Sequence, residues 1–237
     1  MAKDSSSEAF AIINYERGSQ VDQTEMGLAL LIFGILFSPI PVIGSIGGLI
    51  ALVGIMLIVI GREPFGEAHS KSVIIGAAMF FAGVILVFVE SVLYTLFVLS
   101  IHGSLFSLIW LPDDALTSAL VPYLATIFAI GAAGAILTSI GLTFFVFFLQ
   151  KPSGRVLTLA AAAAGVAISA IVFSLLTYDM TITPTGQYSS ILTAYRGGYD
   201  WNVAHAFEIQ VLIAGLLNFV PAIIYAAVYY SVYSNLN

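Results

Sequence analysis

The 237-residue chain has no cysteine. That excludes disulfides, thiolate zinc sites and thiolate-held iron–sulfur clusters, and it removes cysteine as a guide to redox compartment. Charge is scarce as well. Charged residues make up 8% of the chain, with seven basic against thirteen acidic side chains and a formal charge of −6. No basic run exists to neutralise phosphates, so a nucleic-acid partner is not expected. Catalytic motifs are missing too: there is no nucleophile elbow and no His-Glu-x-x-His. "GSIGG" at 44–48 lies in an apolar run without the strand–helix context of a phosphate loop. The opening "MAKDSSSEAFAIINYERGSQVDQTE" lacks the apolar core of a cleaved signal, so residues 1–21 read as a polar cytoplasmic tail. An enzyme is the least expected class, and no cofactor is expected.

What remains is apolar. Sixty per cent of residues are hydrophobic and the mean hydropathy is +1.05. A soluble domain keeps roughly a quarter of its residues charged, so this chain is expected to be covered by lipid. Backbone groups in hydrocarbon must be satisfied internally, which leaves helices or a closed barrel. Long runs of Ala, Leu, Ile, Val and Gly lack the alternation of barrel strands. The fold expected is all-α, an integral membrane six-helix bundle in one transmembrane domain, 22–237.

The run from Met26 to Gly61 would measure about 54 Å as one helix, too long for a ~30 Å hydrocarbon core. Pro39, Pro41 and Gly44 lie at its centre. Proline removes a donor and pushes the preceding residue out of helix, so these three residues mark a turn. Two short helices, about 22–38 and 44–61, are therefore expected to form an N-terminal hairpin. Four more follow at about 72–101, 116–149, 156–177 and 203–233, the last with Pro221 as a kink beside Asn218. With six crossings, Lys3, Arg17, Arg62, Lys71, Lys151 and Arg155 share one side and only Arg196 lies opposite. By the positive-inside rule both termini are then cytoplasmic, and the expected location is the plasma (cell) membrane. The outer loops carry Asp113, Asp114, Asp179 and Asp200 with Phe106, Trp110, Tyr188, Tyr195, Tyr199 and Trp201, read as an interfacial aromatic belt.

Small residues recur at packing intervals: Gly131, Gly134 and Gly141, then Ala161, Gly165 and Ser169. Such spacing lets helix backbones approach closely. Internal packing is the favoured reading over a homodimer seam.

Apart from Asp22 and Glu25 at the interfacial end of the first helix, only Glu90 and Glu208 are acidic within the expected spans, where an ionised group costs about 3 kcal/mol or more on insertion scales. By depth both fall in the outer third of the membrane. His205 shares a helix face with Glu208, and His102 and Arg196 lie at similar height. This outer cluster has three readings. It is a structural lock pairing Glu90 with Arg196 or His205, a proton or cation pathway, or a metal or haem site. The lock is favoured and the metal reading is the least favoured. Asn218 near mid-membrane is placed to bond a neighbouring helix or a carbonyl freed by Pro221.

"SPIPVIGSIGGLIALVGIMLIVIG", with "FGEAHSKSVIIGAAMFFAGVI", resembles a family of archaeal multi-pass membrane proteins of unknown function. The resemblance covers about residues 27–85 and rests on Pro, Gly and aliphatic positions. It implies an archaeal source and a six-helix bundle, and brings no catalytic residues. The function expected is non-enzymatic, an accessory or scaffolding subunit of a larger membrane complex whose partners are lipid and other membrane subunits or further copies of itself. The alternative is a small transporter or ion-conducting protein using Glu90 and Glu208.

Overall fold

A computed structural model describes residues 5–40, 43–108, 113–182 and 201–236, with side chains described within 17–40, 43–96, 122–175 and 213–236 apart from Ser45 and Ala214. Among the described residues six α-helices run in order: α1 (Ser5–Phe37), α2 (Gly44–Ile60), α3 (Glu67–Leu108), α4 (Asp113–Val146), α5 (Pro152–Ile182) and α6 (Trp201–Leu236), with a 3₁₀ turn at Glu63–Phe65. There is no strand among the described residues. The protein is all-α.

Among the described residues five stretches are long and apolar enough to cross a membrane: Arg17–Phe37, Glu67–Leu96, Pro122–Val146, Pro152–Leu175 and Gly215–Leu236. These are the features of a multi-pass integral membrane protein. The apolar α2 is shorter, at 17 residues, or roughly 26 Å.

Helix limits differ from those expected, at polar ends and also at the apolar end of α4, which stops at Val146 rather than 149. α1 starts at Ser5 rather than near 22, so "SSSEAFAIINYERGSQV" is helical although hydropathy assigns it no membrane depth. α3 begins at Glu67 and runs on to Leu108, seven residues past the expected end. Hydropathy marks where lipid ends; a helix stops only where its hydrogen bonds are replaced.

The breaks have local causes. After α1, the Ser38 N–H bonds Gly34 O at 3.0 Å and its hydroxyl bonds Ile35 O at 2.9 Å. Pro39 then ends the helix. The chain re-enters helix at Gly44, whose N–H bonds Ile40 O at 2.7 Å. A Cβ there would lie 2.5 Å from Ser38 O, so only glycine fits. Pro41 lies outside the described residues. Between α2 and α3, the Thr24 hydroxyl reaches across from α1 to Gly61 O at 2.8 Å. Arg62 bonds Val59 O at the end of α2 and the Ser70 hydroxyl, at 3.1 Å, in α3. Gly66 sits at φ +93°, in the region that favours glycine, and lets α3 start. Pro152 opens α5, where its missing N–H is no loss.

The chain divides into two compact units. The first comprises Met1–Phe80, Ser139–Ala164 and Phe219–Asn237; the second comprises Phe81–Thr138 and Gly165–Asn218.

In the first unit Leu28, Leu31, Ile55, Ile58, Val73, Phe145 and Tyr229 are fully buried. α1 and α2 run antiparallel in backbone contact. A Cβ on Gly27 would lie 2.6 Å from Gly54 O, and one on Gly34 would lie 2.7 Å from Gly47 O. Gly61 is pressed against Gln20 and Thr24. Gly27 and Gly34 are seven residues apart, as are Gly47, Gly54 and Gly61, so each helix offers one glycine stripe. The opposite face of α2 exposes Ile46, Leu49, Val53, Met56 and Ile60. The glycines face in beside Leu28, Leu31, Ile55 and Ile58, and further large side chains face out, the arrangement that suits lipid. α3 meets α4 in the same way, a Cβ on Gly76 lying 2.8 Å from Gly141 O.

In the second unit Leu124 and Ile127 are buried. A Cβ on Gly83 would lie 2.5 Å from Gly134 O. Gly165 of α5 is also buried and takes a 2.8 Å hydrogen bond on its carbonyl from the Ser169 hydroxyl. Ala161, in the first unit, is fully buried. Of the stripe Ala161–Gly165–Ser169, the first two residues are covered by the chain itself and Ser169 is half-buried.

Candidate functional site

Glu90 stands on the described part of α3 within a stretch, 81–96, that holds no other charged residue. Fourteen and seven residues earlier stand Gly76 and Gly83, so Glu90 continues the face on which α3 meets α4. At Gly83 that face is closed by backbone contact with Gly134. At Glu90 it is closed by the carboxyl itself. The Glu90 Cδ, Oε1 and Oε2 atoms are the nearest neighbours of the position a Cβ on Gly131 would take, and they overlap it. Gly131 is fully enclosed and Glu90 half-buried. One turn on, Tyr94 packs its ring 6.2 Å from that of Phe128 in α4. Nearby hydroxyls are used locally, Ser91 bonding Val87 O at 2.9 Å and Thr95 bonding Ser91 O at 2.8 Å.

The other members of the expected outer cluster cannot be joined to Glu90. The side chains of His102, His205 and Glu208 lie outside the described residues, as does Arg196 altogether. Asn218 is exposed on α6, and α6 continues through Pro221.

A second polar constellation lies in the first unit, on residues that hydropathy treats as ordinary span. The Tyr225 hydroxyl of α6 donates to Ser139 O of α4 at 2.5 Å. It also lies 2.9 Å from the Ser139 hydroxyl and 3.2 Å from that of Thr143, either of which can donate to it. One turn on, Tyr229 donates to Leu142 O at 2.6 Å. Beyond it the Gln150 amide donates to Val228 O at 2.9 Å. Across α4, the Ser72 hydroxyl of α3 bonds Phe144 O at 2.7 Å. Tyr225 and Tyr229 are four residues apart, as are Ser139 and Thr143. Those i, i+4 pairs were the available signal, one that polarity ranking overlooks because Tyr, Ser and Thr are mild.

Buried atoms without a partner form the third feature. Both ring nitrogens of His69 lack a hydrogen-bond partner among the described residues, although the side chain is only 1% exposed. Its ring meets Phe65 edge-on at 5.4 Å. Gln23 Oε1 and Arg155 Nε are likewise buried and unpaired, the Arg155 guanidinium lying 5.5 Å and 5.8 Å from the ring centres of Phe147 and Phe148. Such atoms are uncommon in folded proteins, where nearly all buried polar groups are paired.

Among the described residues no three His, Asp or Glu side chains come together as a metal site. No protein-family model, curated protein or solved structure matches the chain.

Proposed function

We propose that this protein is a non-enzymatic integral membrane protein that serves as an accessory or scaffolding subunit of a larger membrane assembly. One observation carries the reading: the helices hold to one another through glycine and through hydroxyl-to-carbonyl bonds as well as a small apolar core, which leaves many of their large apolar side chains on the outside. Ile46, Leu49, Val53 and Met56 of α2, and Val156, Leu157 and Leu159 of α5, all face outward. A bundle fastened by small contacts keeps its whole lateral surface for lipid and for neighbouring subunits. Native mass spectrometry after gentle extraction tests this. A stoichiometric second polypeptide is expected; a bare monomer carrying only lipid would overturn the reading.

The proposed topology has six crossings, with α1 and α2 as a hairpin that turns near Pro39 and with both termini cytoplasmic in the cell membrane. The backbone contact of α1 with α2 supports it, because two apolar helices so joined insert as one unit. The distribution of basic residues supports the orientation. Because the chain has no cysteine, single cysteines at Glu63 and at Asp114 report sidedness directly. A membrane-impermeant thiol reagent added outside intact cells is expected to label position 114 and spare position 63. The archaeal source and family rest on the resemblance over residues 27–85.

A second reading, a small transporter or ion-conducting protein, is favoured by the Glu90 carboxyl seated at Gly131. Its test is proton-coupled flux in liposomes, lost in Glu90→Gln.

A further inference from the structure

We infer that Glu90 is a proton-binding site, its carboxyl gaining and losing a proton in the notch that Gly131 leaves in α4. The inference takes its site from the second reading above but requires no flux.

The argument is steric first. A glutamate at a helix–helix contact of this kind normally turns outward, because the partner helix presents Cβ atoms. Here the partner presents a glycine, and the carboxyl atoms fill the vacated space. The seam is thus shaped to the carboxyl group, and a methyl group at position 131 would expel it. Gly83, seven residues before Glu90, and Gly134, three residues after Gly131, close the adjoining contact, which draws α3 near enough to α4 for Glu90 to reach Gly131.

The surroundings select the ligand. In the described residues of the second unit, the stretches 81–96, 122–138, 165–175 and 213–218 contain no Asp, Glu, Lys, Arg or His besides Glu90. Among the described side chains of α3 and α4 in the second unit, the other titratable groups are Tyr94 and Tyr123; Glu67, His69 and Lys71 lie at the start of α3 in the first unit, and the side chains of His102, Asp113 and Asp114 lie outside the described residues. Among the described side chains, one carboxyl and a glycine wall give a metal ion one anionic ligand, far short of the six to eight oxygens of calcium or the octahedron of magnesium. A proton needs only the one oxygen. Binding adds a proton to the carboxylate to give the carboxylic acid, with no other bond made or broken. The half-buried position keeps a route for that proton open.

Labelling of the full chain in lipid nanodiscs with dicyclohexylcarbodiimide tests this. The reagent partitions into apolar surroundings and reacts with a protonated carboxyl. The acid proton moves to a carbodiimide nitrogen, the carboxyl oxygen bonds the central carbon, and the whole reagent is retained as an adduct. Peptide mass spectrometry is expected to place the adduct on Glu90, at a rate that falls with rising pH in proportion to the protonated fraction and is indifferent to sodium at fixed pH. Glu90→Gln is expected to lose it. Gly131→Ala is expected to alter the rate several-fold by displacing the carboxyl. No adduct on Glu90 at any pH, or a rate independent of pH, would overturn the proposal. Protection by sodium would overturn it in favour of a cation site. The wild-type measurement stands even where a variant fails to assemble. Labelling that follows pH in a protein without flux would retain the proton site and dismiss transport.

Discussion

Two seams of the first unit hold helices together by opposite means. Between α1 and α2 the contact is backbone on backbone, through Gly27, Gly34, Gly47, Gly54 and Gly61. Between α4 and α6 it is hydroxyl on carbonyl, through Tyr225, Tyr229, Ser139 and Thr143. Lipid tails are as apolar as leucine, so helices gain nothing by hiding apolar surface from them. Close packing and hydrogen bonding are what remain, and each seam relies mainly on one; the first adds a single hydroxyl bond, from Thr24 to Gly61 O. They differ in how they fail. A glycine contact has no tolerance, since the first added carbon meets backbone. A hydroxyl contact loses one bond at a time.

The largest expected effect comes from breaking the first seam. Gly34→Val places a branched side chain where a Cβ alone would lie 2.6 Å from Ala51 N. We expect a loss of about 3 kcal/mol or failure to assemble, as overpacking costs 1–3 kcal/mol and occasionally more. Reversible unfolding in mixed micelles measures it, and a change under about 0.5 kcal/mol would mean that α1 and α2 are not in backbone contact.

Breaking the second seam costs less. Tyr225→Phe keeps the ring and removes the hydroxyl, with an expected loss of about 0.6–1.7 kcal/mol. A double-mutant cycle with Ser139→Ala should return a coupling of roughly 0.5 kcal/mol or more. Additive losses would show that the two hydroxyls do not share their bond.

The smallest effect sharpens the comparison within a single helix. Gly47 and Gly48 are neighbours in α2, yet a Cβ on Gly47 would lie 2.9 Å from Gly34 O while one on Gly48 meets nothing within 4 Å. Gly48→Ala is expected to be neutral or to stabilise by about 0.5–1 kcal/mol through helix propensity. Gly47→Ala is expected to destabilise. Equal effects in the two variants would mean that the glycine stripe sets no helix distance.

Much of the architecture was legible from composition. Apolar runs without alternation specify helices in lipid because no other open structure satisfies its backbone there. The end of α1 at Phe37 and the start of α2 at Gly44 flank Pro39, whose chemistry is local. The polar ends were less legible: nothing in the hydropathy of residues 5–21 distinguishes a helical extension of α1 from a tail. At the site, Glu90 stood out as a carboxyl in an apolar stretch, but its seat against Gly131 did not, since those residues are 41 positions apart.

The sequence by itself determined that the chain is all-α, that several of its helices suit a bilayer, and that charge within them is rare. Those properties follow from each residue's own solvation and backbone preferences, which need no neighbour. Only the tertiary structure decided which glycines are indispensable, which hydroxyls meet and where the Glu90 carboxyl lies. Gly47 and Gly48 are identical in sequence terms, and Tyr225 reaches Ser139 across 86 positions. Such distinctions arise from which face of a helix turns toward another, and a helix that is apolar on every side does not encode that face locally.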